Sequence, residues 1–291
     1  MSSEGLPDSS VVKARRPWMA ALANLFAPPL GHIYIGKPFR GVVAVALNLI
    51  VGLAIVFLSL RATGRFPFVL LMCLLLFAYA AVAADAYIIA RRAGSSFQLK
   101  PYNRWYGYLG LLIVFSLGGE ATRSLIRSEI AQAYKVPSEA MVPTLLAGDH
   151  ILTDKTIYRS RSPERFDVVV FEYPEDPQKT FVKRVVGLPG ETIEVRNKKV
   201  WINGSQLQEP YVRFAASVGG LRVSPGDSFG PFRIPERSYF LLGDNRDKSY
   251  DSRFWGPVVR EKIWGRVCVI YFSWGSDRFS VRWDRIGATV K

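Results

Sequence analysis

Cysteine and histidine are almost missing from these 291 residues, at two each. Cys73 lies in an apolar run and Cys268 in a strand-like run of the other half, so no disulfide framework is expected and no thiolate metal site can be assembled. With His32 and His150 alone, zinc chemistry and Ser/His/Asp hydrolysis both lack parts. No metal or cofactor is therefore expected. Acidic residues are also short, at 24 against 38 basic ones for a net charge of +14. That balance, with a mean hydropathy of +0.12, excludes a disordered chain and an ordinary cytosolic enzyme and points to a membrane protein. No repeat at solenoid or propeller spacing is present.

The two halves carry their charge differently. Residues 1–119 hold 11 basic and 3 acidic residues, and residues 120–291 hold 27 and 21. In the first half, 41–60 and 66–90 are uncharged but for Asp85, and each is long enough to cross a hydrocarbon core. Residues 105–119 read as a third span, entered through Tyr102, Trp105, Tyr106 and Tyr108 as an interfacial aromatic belt. Residues 17–36 are apolar but carry Pro28, Pro29, Gly31 and Gly36, which leaves a fourth span, a re-entrant hairpin or an interfacial helix open. Lys13, Arg15, Arg16, Lys37 and Arg40 flank this segment on both sides, and Arg91, Arg92, Lys100 and Arg104 precede the last span. The positive-inside rule then makes 1–16 a cytoplasmic tail, keeps 17–36 from fully crossing, and places 120–291 outside the cytoplasm. Asp85 lies near the cytoplasmic end of its span, where snorkelling or capping accounts for it better than an ion relay.

Beyond Val136 the pattern changes to short runs of β-branched and aromatic residues between turn formers. Strands are expected at 150–152, 166–172, 181–186, 192–195, 199–202, 238–242 and 266–272. Asn203-Gly204 signals a tight hairpin, which also accounts for the Asn203-Gly204-Ser205 glycosylation sequon. The fold class is a membrane-anchored chain with an N-terminal helical transmembrane region and a mainly-β extracytoplasmic domain. Basic residues are interleaved with acidic ones, so no nucleic-acid stripe forms, and membrane lipids are the better electrostatic partner. Trp255, Trp264, Trp274 and Trp283 could meet the bilayer or fill the core.

Three segments are dense in residues that strand patterning does not require: 136–145, 181–190 and 243–253. In the second, alternation puts Lys183 on the face of Phe181 and Val185, opposite Val182 and Val186. An amine on an apolar face loses solvation and moves toward neutrality, as a general base requires. From this strand alone, a snorkelling edge lysine beside Arg184 is the stronger account.

Together the three segments resemble bacterial type I signal peptidases, the leader peptidases of the serine/lysine class. Pro137-Ser138-Glu139-Ala140-Met141-Val142-Pro143-Thr144-Leu145 is similar to the nucleophile box, Lys183 to Gly190 to the general-base box, and Gly243-Asp244-Asn245-Arg246-Asp247 with Ser249, Asp251, Ser252 and Arg253 to the third box. The resemblance covers nearly all of 120–291. It implies a periplasmic β-fold on the bacterial inner membrane that removes signal peptides from exported preproteins after Ala-x-Ala sites, with the secretion machinery as a possible partner. By the same resemblance Lys183 is the general base, Ser138 an oxyanion donor with the N–H of residue 140, and Ser249 the group that orients Lys183. Asp251, Arg253 and Asp244 support the site. Val136, Pro137, Met141, Leu145, Val170, Phe181 and Val182 are the expected substrate-binding residues, with an extended substrate added beside 136–140 and 181–183.

The nucleophile position holds Ala140, which has no group to attack a carbonyl. Ser138 is a poor substitute if 138 and 140 are spaced along a strand, roughly 6–7 Å apart. The chain is thus expected to bind signal peptides and hardly cleave them. Retention of Lys183 and Ser249 favours an introduced replacement over a naturally drifted pseudoenzyme that binds signal peptides or scaffolds the export machinery. Self-cleaving repressors share serine/lysine chemistry but are cytosolic, and a transporter would need more midplane polar residues than Asp85 and Asn48. Ser10-x-x-Lys13 matches a penicillin-binding motif by chance, with no downstream partner.

Overall fold

The computed structural model describes residues 16–62, 64–93, 103–214, 226–275 and 280–290. Lys13, Arg15, the Ser10-x-x-Lys13 match, Lys100 and Tyr102 lie outside these residues. The chain divides into two compact units, Met1–Ser59 with Phe68–Ser124 and Leu60–Pro67 with Leu125–Lys291.

The first unit is helical: α1 (Pro17–Phe26), α2 (Leu30–Tyr34), α3 (Pro38–Arg61), α4 (Arg65–Ala93) and α5 (Trp105–Leu125). Three helices, Pro38–Arg61, Arg65–Ala93 and Trp105–Ile130 with its terminal π-turn, are long and apolar enough to cross a membrane. The last one runs past the expected boundary at Gly119. Hydropathy falls there, yet Glu120 and Arg123 pair one turn apart and helix-forming residues continue. α1 and α2 have 10 and 5 residues, short of the roughly 20 a crossing needs. Pro28 and Pro29 supply no backbone N–H and part the two helices.

A buried break between helices survives only where its backbone polar groups find internal partners. Asn24, 1% exposed, provides most of them. Its Oδ1 accepts from Gly31 N at 2.7 Å and its Nδ2 donates to Val82 O at 3.0 Å. These two bonds fix the amide, so His32 Nδ1, 3.0 Å from Asn24 Nδ2, must accept. His32 Nε2–H then donates to Asp85 Oδ2 at 2.9 Å, and Arg40 binds the same carboxylate through Nε at 3.0 Å and Nη2 at 2.7 Å. Asp85 is therefore neither a lone snorkelling carboxylate nor a cap: it joins α2, α3 and α4. The sequence reading missed this because the partners lie 45 and 53 residues away. Gly31 permits the junction, since a Cβ there would lie 2.1 Å from the Ala20 carbonyl oxygen.

The second unit is built of antiparallel strands: β1 (Ala131–Lys135), β2 (Asp149–Asp154), β3 (Val168–Glu172), β4 (Thr180–Gly187), β5 (Thr192–Arg196), β6 (Lys199–Ile202), β7 (Ser205–Gln206), β8 (Phe229–Arg233), β9 (Ser238–Leu242), β10 (Val258–Val259), β11 (Ile263–Gly275) and β12 (Ser280–Val281). The larger sheet runs β1-β2-β11-β3-β4-β9-β10 with β12 on β11, and the smaller runs β7-β6-β5-β8. Every expected strand is present. Asn203 and Gly204 both take positive φ, 50° and 80°, as the β6–β7 hairpin requires. β1 and β8 were not anticipated: Ala131–Lys135 alternates weakly, and β8 carries Gly230-Pro231 inside an edge strand.

Alternation explains the core. On β3, Val168 and Val170 join Val136, Met141, Leu145 and Ile151, whereas Val169 and Phe171 face Val185, Leu241 and Ile263. Buried on both faces, β3 reads as a continuous apolar run. A third cluster, Val186, Ile193, Val200, Ile234, Phe240 and Leu242, seats the smaller sheet. Trp255 and Trp264 pack partly against these cores, and Trp274 and Trp283 are exposed.

Replacing Asn24 with alanine leaves the Gly31 N–H and His32 Nδ1 unpaired, at a cost of about 1–3 kcal/mol. Hydrogen exchange at the Gly31 amide should rise roughly tenfold, and unchanged protection would show that Asn24 does not hold the hairpin.

Candidate active site

β4 places two cations next to each other in sequence and on opposite faces. Lys183 pairs across the ladder with Val169 and is only 5% exposed. Its Nζ lies 5.8 Å from the centre of the Phe181 ring, on the face that alternation assigned. Burial pushes the amine down to about 8; the Asp251 charge opposes that shift, Arg253 adds to it and Asp244 opposes it. Among the described residues the Lys183 side chain has no hydrogen-bond or ion-pair partner.

Arg184, 1% exposed, faces the other way and meets Asp244, which is 0% exposed. Nε and Nη2 reach the two carboxylate oxygens at 2.8 and 2.7 Å. Thr144 Oγ1 donates to Asp244 Oδ2 at 2.5 Å, and Arg184 Nη1 donates to Phe166 O at 2.9 Å. One bidentate pair thus fastens the turn after β1, the strand β4 and the loop after β9.

That loop is a second hub. Asp251 caps the short α6 (Ser252–Trp255), binds Arg253 Nε and Nη2 at 2.8 and 3.0 Å, and accepts from Gly243 N at 3.0 Å. A Cβ on Gly243 would lie 2.1 Å from Ser249 Oγ and 2.6 Å from Ala140 O, so only glycine lets these two groups converge. Asn245 N donates to Ala140 O, and its Nδ2 donates to Glu139 O, both at 3.1 Å. Lys248 Nζ binds Glu139 Oε2 at 2.6 Å. The third segment therefore carries the turn that presents residue 140.

Four expectations change. Residues 138 to 140, given strand spacing above, lie in a run of bends and turns that continues to 145, with Leu145 N bonded to Met141 O and a cis Val142–Pro143 bond. Only Val136 continues the pairing of β1 with β2. The strand spacing used to separate Ser138 from position 140 does not apply; Ser138 and Pro137 are exposed on the turn. Ser249 Oγ is buried without a hydrogen-bond partner, so the expected bond to Lys183 is not made. Leu145 and Val170 are 0% exposed and, with buried Val136 and Met141 and half-buried Val182, form core beneath the turn instead of an open pocket wall. Phe181 lies on the other face, stacked on Tyr173 at 4.4 Å, because successive side chains of a strand point apart.

Sequence reasoning also missed Thr144, Asn245, Arg246 and Glu209 as supports. Their side chains pair across 37 to 106 residues, which no local pattern reveals. No group of three or more potential metal ligands occurs among the described residues.

Residues 107–274 match the family described as signal peptidase, peptidase S26. The chain belongs to that family. Its β-rich domain is the signal-peptidase-like part, a serine-type endopeptidase fold by family. It is 40% identical over 173 residues to signal peptidase I of Leptolyngbya laminosa, covering 56% of this chain and 76% of that protein. To the probable signal peptidase I-2 of Synechocystis it is 35% identical over 193 residues, 63% of this chain and 81% of that protein. Among solved structures, a signal peptidase I from Enterococcus faecalis V583 shares 35% identity over 36% of this chain and 97% of that chain, with a TM-score of 0.32.

Removing one partner of a buried ion pair strands the other charge. Asp244→Ala should cost about 3–5 kcal/mol and lower the thermal midpoint by about 6–20 °C, read by near-UV circular dichroism; a shift below about 2 °C would show that the pair is dispensable.

Lys183 releases its proton near pH 8 in the fold and near 10.5 when unfolded. Between those values the unfolded chain holds more protons, so stability rises with pH. Compared with Lys183→Met, the chain should gain unfolding free energy from about pH 8 to 10.5, measured by urea titration; a flat difference would mean that Lys183 titrates normally.

Proposed function

We propose that this chain is a signal peptidase I in which Ala140 stands at the nucleophile position, so that it binds the signal peptides of exported preproteins and hardly cleaves them. The observation that carries the reading is the convergence of Ala140 O and Ser249 Oγ at Gly243. Gly243 is tied through Asp251 to the charges that surround the buried Lys183 amine.

The chemistry follows from the parts. A serine at 140 would lose its proton to neutral Lys183 and attack the scissile carbonyl; Lys183 would then pass that proton to the leaving amine and later activate water. A buried amine held at about 8 is suited to this exchange near neutral pH. The N–H of residue 140 and the Ser138 hydroxyl are the proposed oxyanion donors. Ser249 is proposed to bond the lysine ammonium once it forms, since its hydroxyl is buried, unpaired and beside the turn. Asp244, Asp251 and Arg253 hold the frame. Val136, Pro137, Met141, Leu145, Val170, Phe181 and Val182 give the substrate cleft its form, largely from beneath. With a methyl group at 140 the acyl step has no nucleophile, while the surface that binds an extended peptide is retained.

The basic flanks support a multi-pass arrangement in the cytoplasmic membrane. Residues 17–36 would enter and leave on the cytoplasmic side, and the peptidase domain of 120–291 would lie outside, near anionic lipid and the export machinery. The short α1 and α2 and their internally satisfied break support a re-entrant hairpin.

Ala140 also favours a second reading, a non-catalytic binder or scaffold of the export machinery. A preprotein-processing assay in detergent or liposomes separates the two. The chain itself should bind preprotein without product, Ala140→Ser should release mature protein, and adding Lys183→Ala should abolish that release. Failure of the Ala140→Ser protein to cleave would sink the peptidase reading and leave the binder.

A further inference from the structure

The reaction-centre boxes do not account for one half-buried assembly. Glu209, its side chain 8% exposed, binds Arg246 through both oxygens, at 3.1 Å from Nη1 and more closely from Nη2. Arg246 Nε donates to Gly243 O at 3.2 Å, and its own carbonyl accepts from Arg253 Nη2 at 2.7 Å. Tyr211 donates its hydroxyl to Glu209 Oε1 at 2.9 Å and lays its ring against the Arg184 guanidinium, 4.1 Å from centroid to Cζ. Between these side chains the backbone of Arg213 bridges the third box: Arg213 N donates to Asp244 O at 2.8 Å and Arg246 N donates to Arg213 O at 3.1 Å.

The contacts close into a ring. Arg184 holds Asp244 and rests on Tyr211; Tyr211 bonds Glu209; Glu209 pairs with Arg246; and Arg246 grips the carbonyl next to Asp244. Gly243, Asp244 and Asn245 sit inside that ring, and Asn245 N bears on Ala140 O. Gly243 packs directly against Ser249 Oγ and Ala140 O, which occupy the space a Cβ would take. Any movement of 243–245 therefore reaches the turn carrying residue 140.

We propose that Glu209 and Tyr211 are positioning residues, a brace outside the three boxes that sets where residue 140 stands. The consequence for catalysis rests on the peptidase reading above; the bracing itself does not. Neither side chain touches the reacting atoms. The ring face of Tyr211 carries the load through Arg184, and its hydroxyl steers Glu209. Misplacing a nucleophile by about 1 Å can cost on the order of 100-fold in rate, whereas substrate affinity, spread along the cleft, changes little.

Two arms test the brace. In the full chain as it stands, hydrogen exchange at the Asn245 amide should speed up about tenfold or more in Tyr211→Ala and in Glu209→Gln, with the amides of β5 and β6 unchanged as a check on folding. In the Ala140→Ser protein, both substitutions should lower kcat about 10- to 100-fold with KM within about threefold. Tyr211→Phe, which keeps the stack on Arg184, should retain at least about a third of kcat. Unaltered exchange at Asn245 in both variants would overturn the brace, as would an unchanged kcat. If Ala140→Ser alone fails to cleave, the peptidase reading falls and the exchange arm still decides the brace.

Discussion

The bidentate pair between Arg184 and Asp244 is the interaction on which the site depends. Both groups are cut off from water, so neither charge is tolerable without the other. Their geometry joins three stretches of chain that would otherwise be free to slide. Thr144 shares the carboxylate, Phe166 O shares the guanidinium, and the loop after β9 is drawn against the turn at 138–140. Lys183, one residue before Arg184, inherits its position from that anchorage. The desolvated strand that forces Arg184 to pair also depresses the amine beside it. Structure and chemistry here come from one burial.

The fold was largely legible in the sequence. The long apolar runs became the three span-length helices, and the alternating runs became strands of two antiparallel sheets. Local periodicity reports local structure, and these elements are local. Misreadings arose where long-range contacts override the pattern. Residues 138 and 140 were spaced as on a strand, but Thr144 and Leu145 are pulled inward by Asp244 and the core, so the chain turns. Asp85 looks isolated, yet its partners lie on other helices. Of the candidate site, Lys183 is buried on the face that alternation assigned, and Asp251 pairs with Arg253. The Ser249 hydroxyl is near the turn without the expected partner, and the pocket residues lie mostly below the surface because the alternation that buries Val170 also hides it from a ligand.

The two units solve the same problem by different means. In the first, a proline-broken hairpin is made acceptable by an asparagine whose amide is used at both ends. In the second, the loop at 243–253 carries so much backbone without a ladder that three arginines, 184, 246 and 253, are spent on carbonyls and carboxylates around it. Part of the basic complement is thus internal, each arginine paired with a carboxylate of Asp244, Glu209 or Asp251. It serves as a source of fixed hydrogen-bond donors as well as a surface property.

The span of these contacts has a further consequence, for timing. Thr144 and Asp244 meet across 100 residues, and Arg184 and Asp244 across 60. At a synthesis rate of about 5–20 residues per second, the interval between the first and last box is on the order of 5–20 s. During that time β3 and β4 exist without β9, and Arg184 has no carboxylate. A site assembled from its two ends cannot be completed until the last of its boxes has been made. The helical unit, whose polar contacts close earlier in the sequence, can be complete before the β-domain first acquires a formed site.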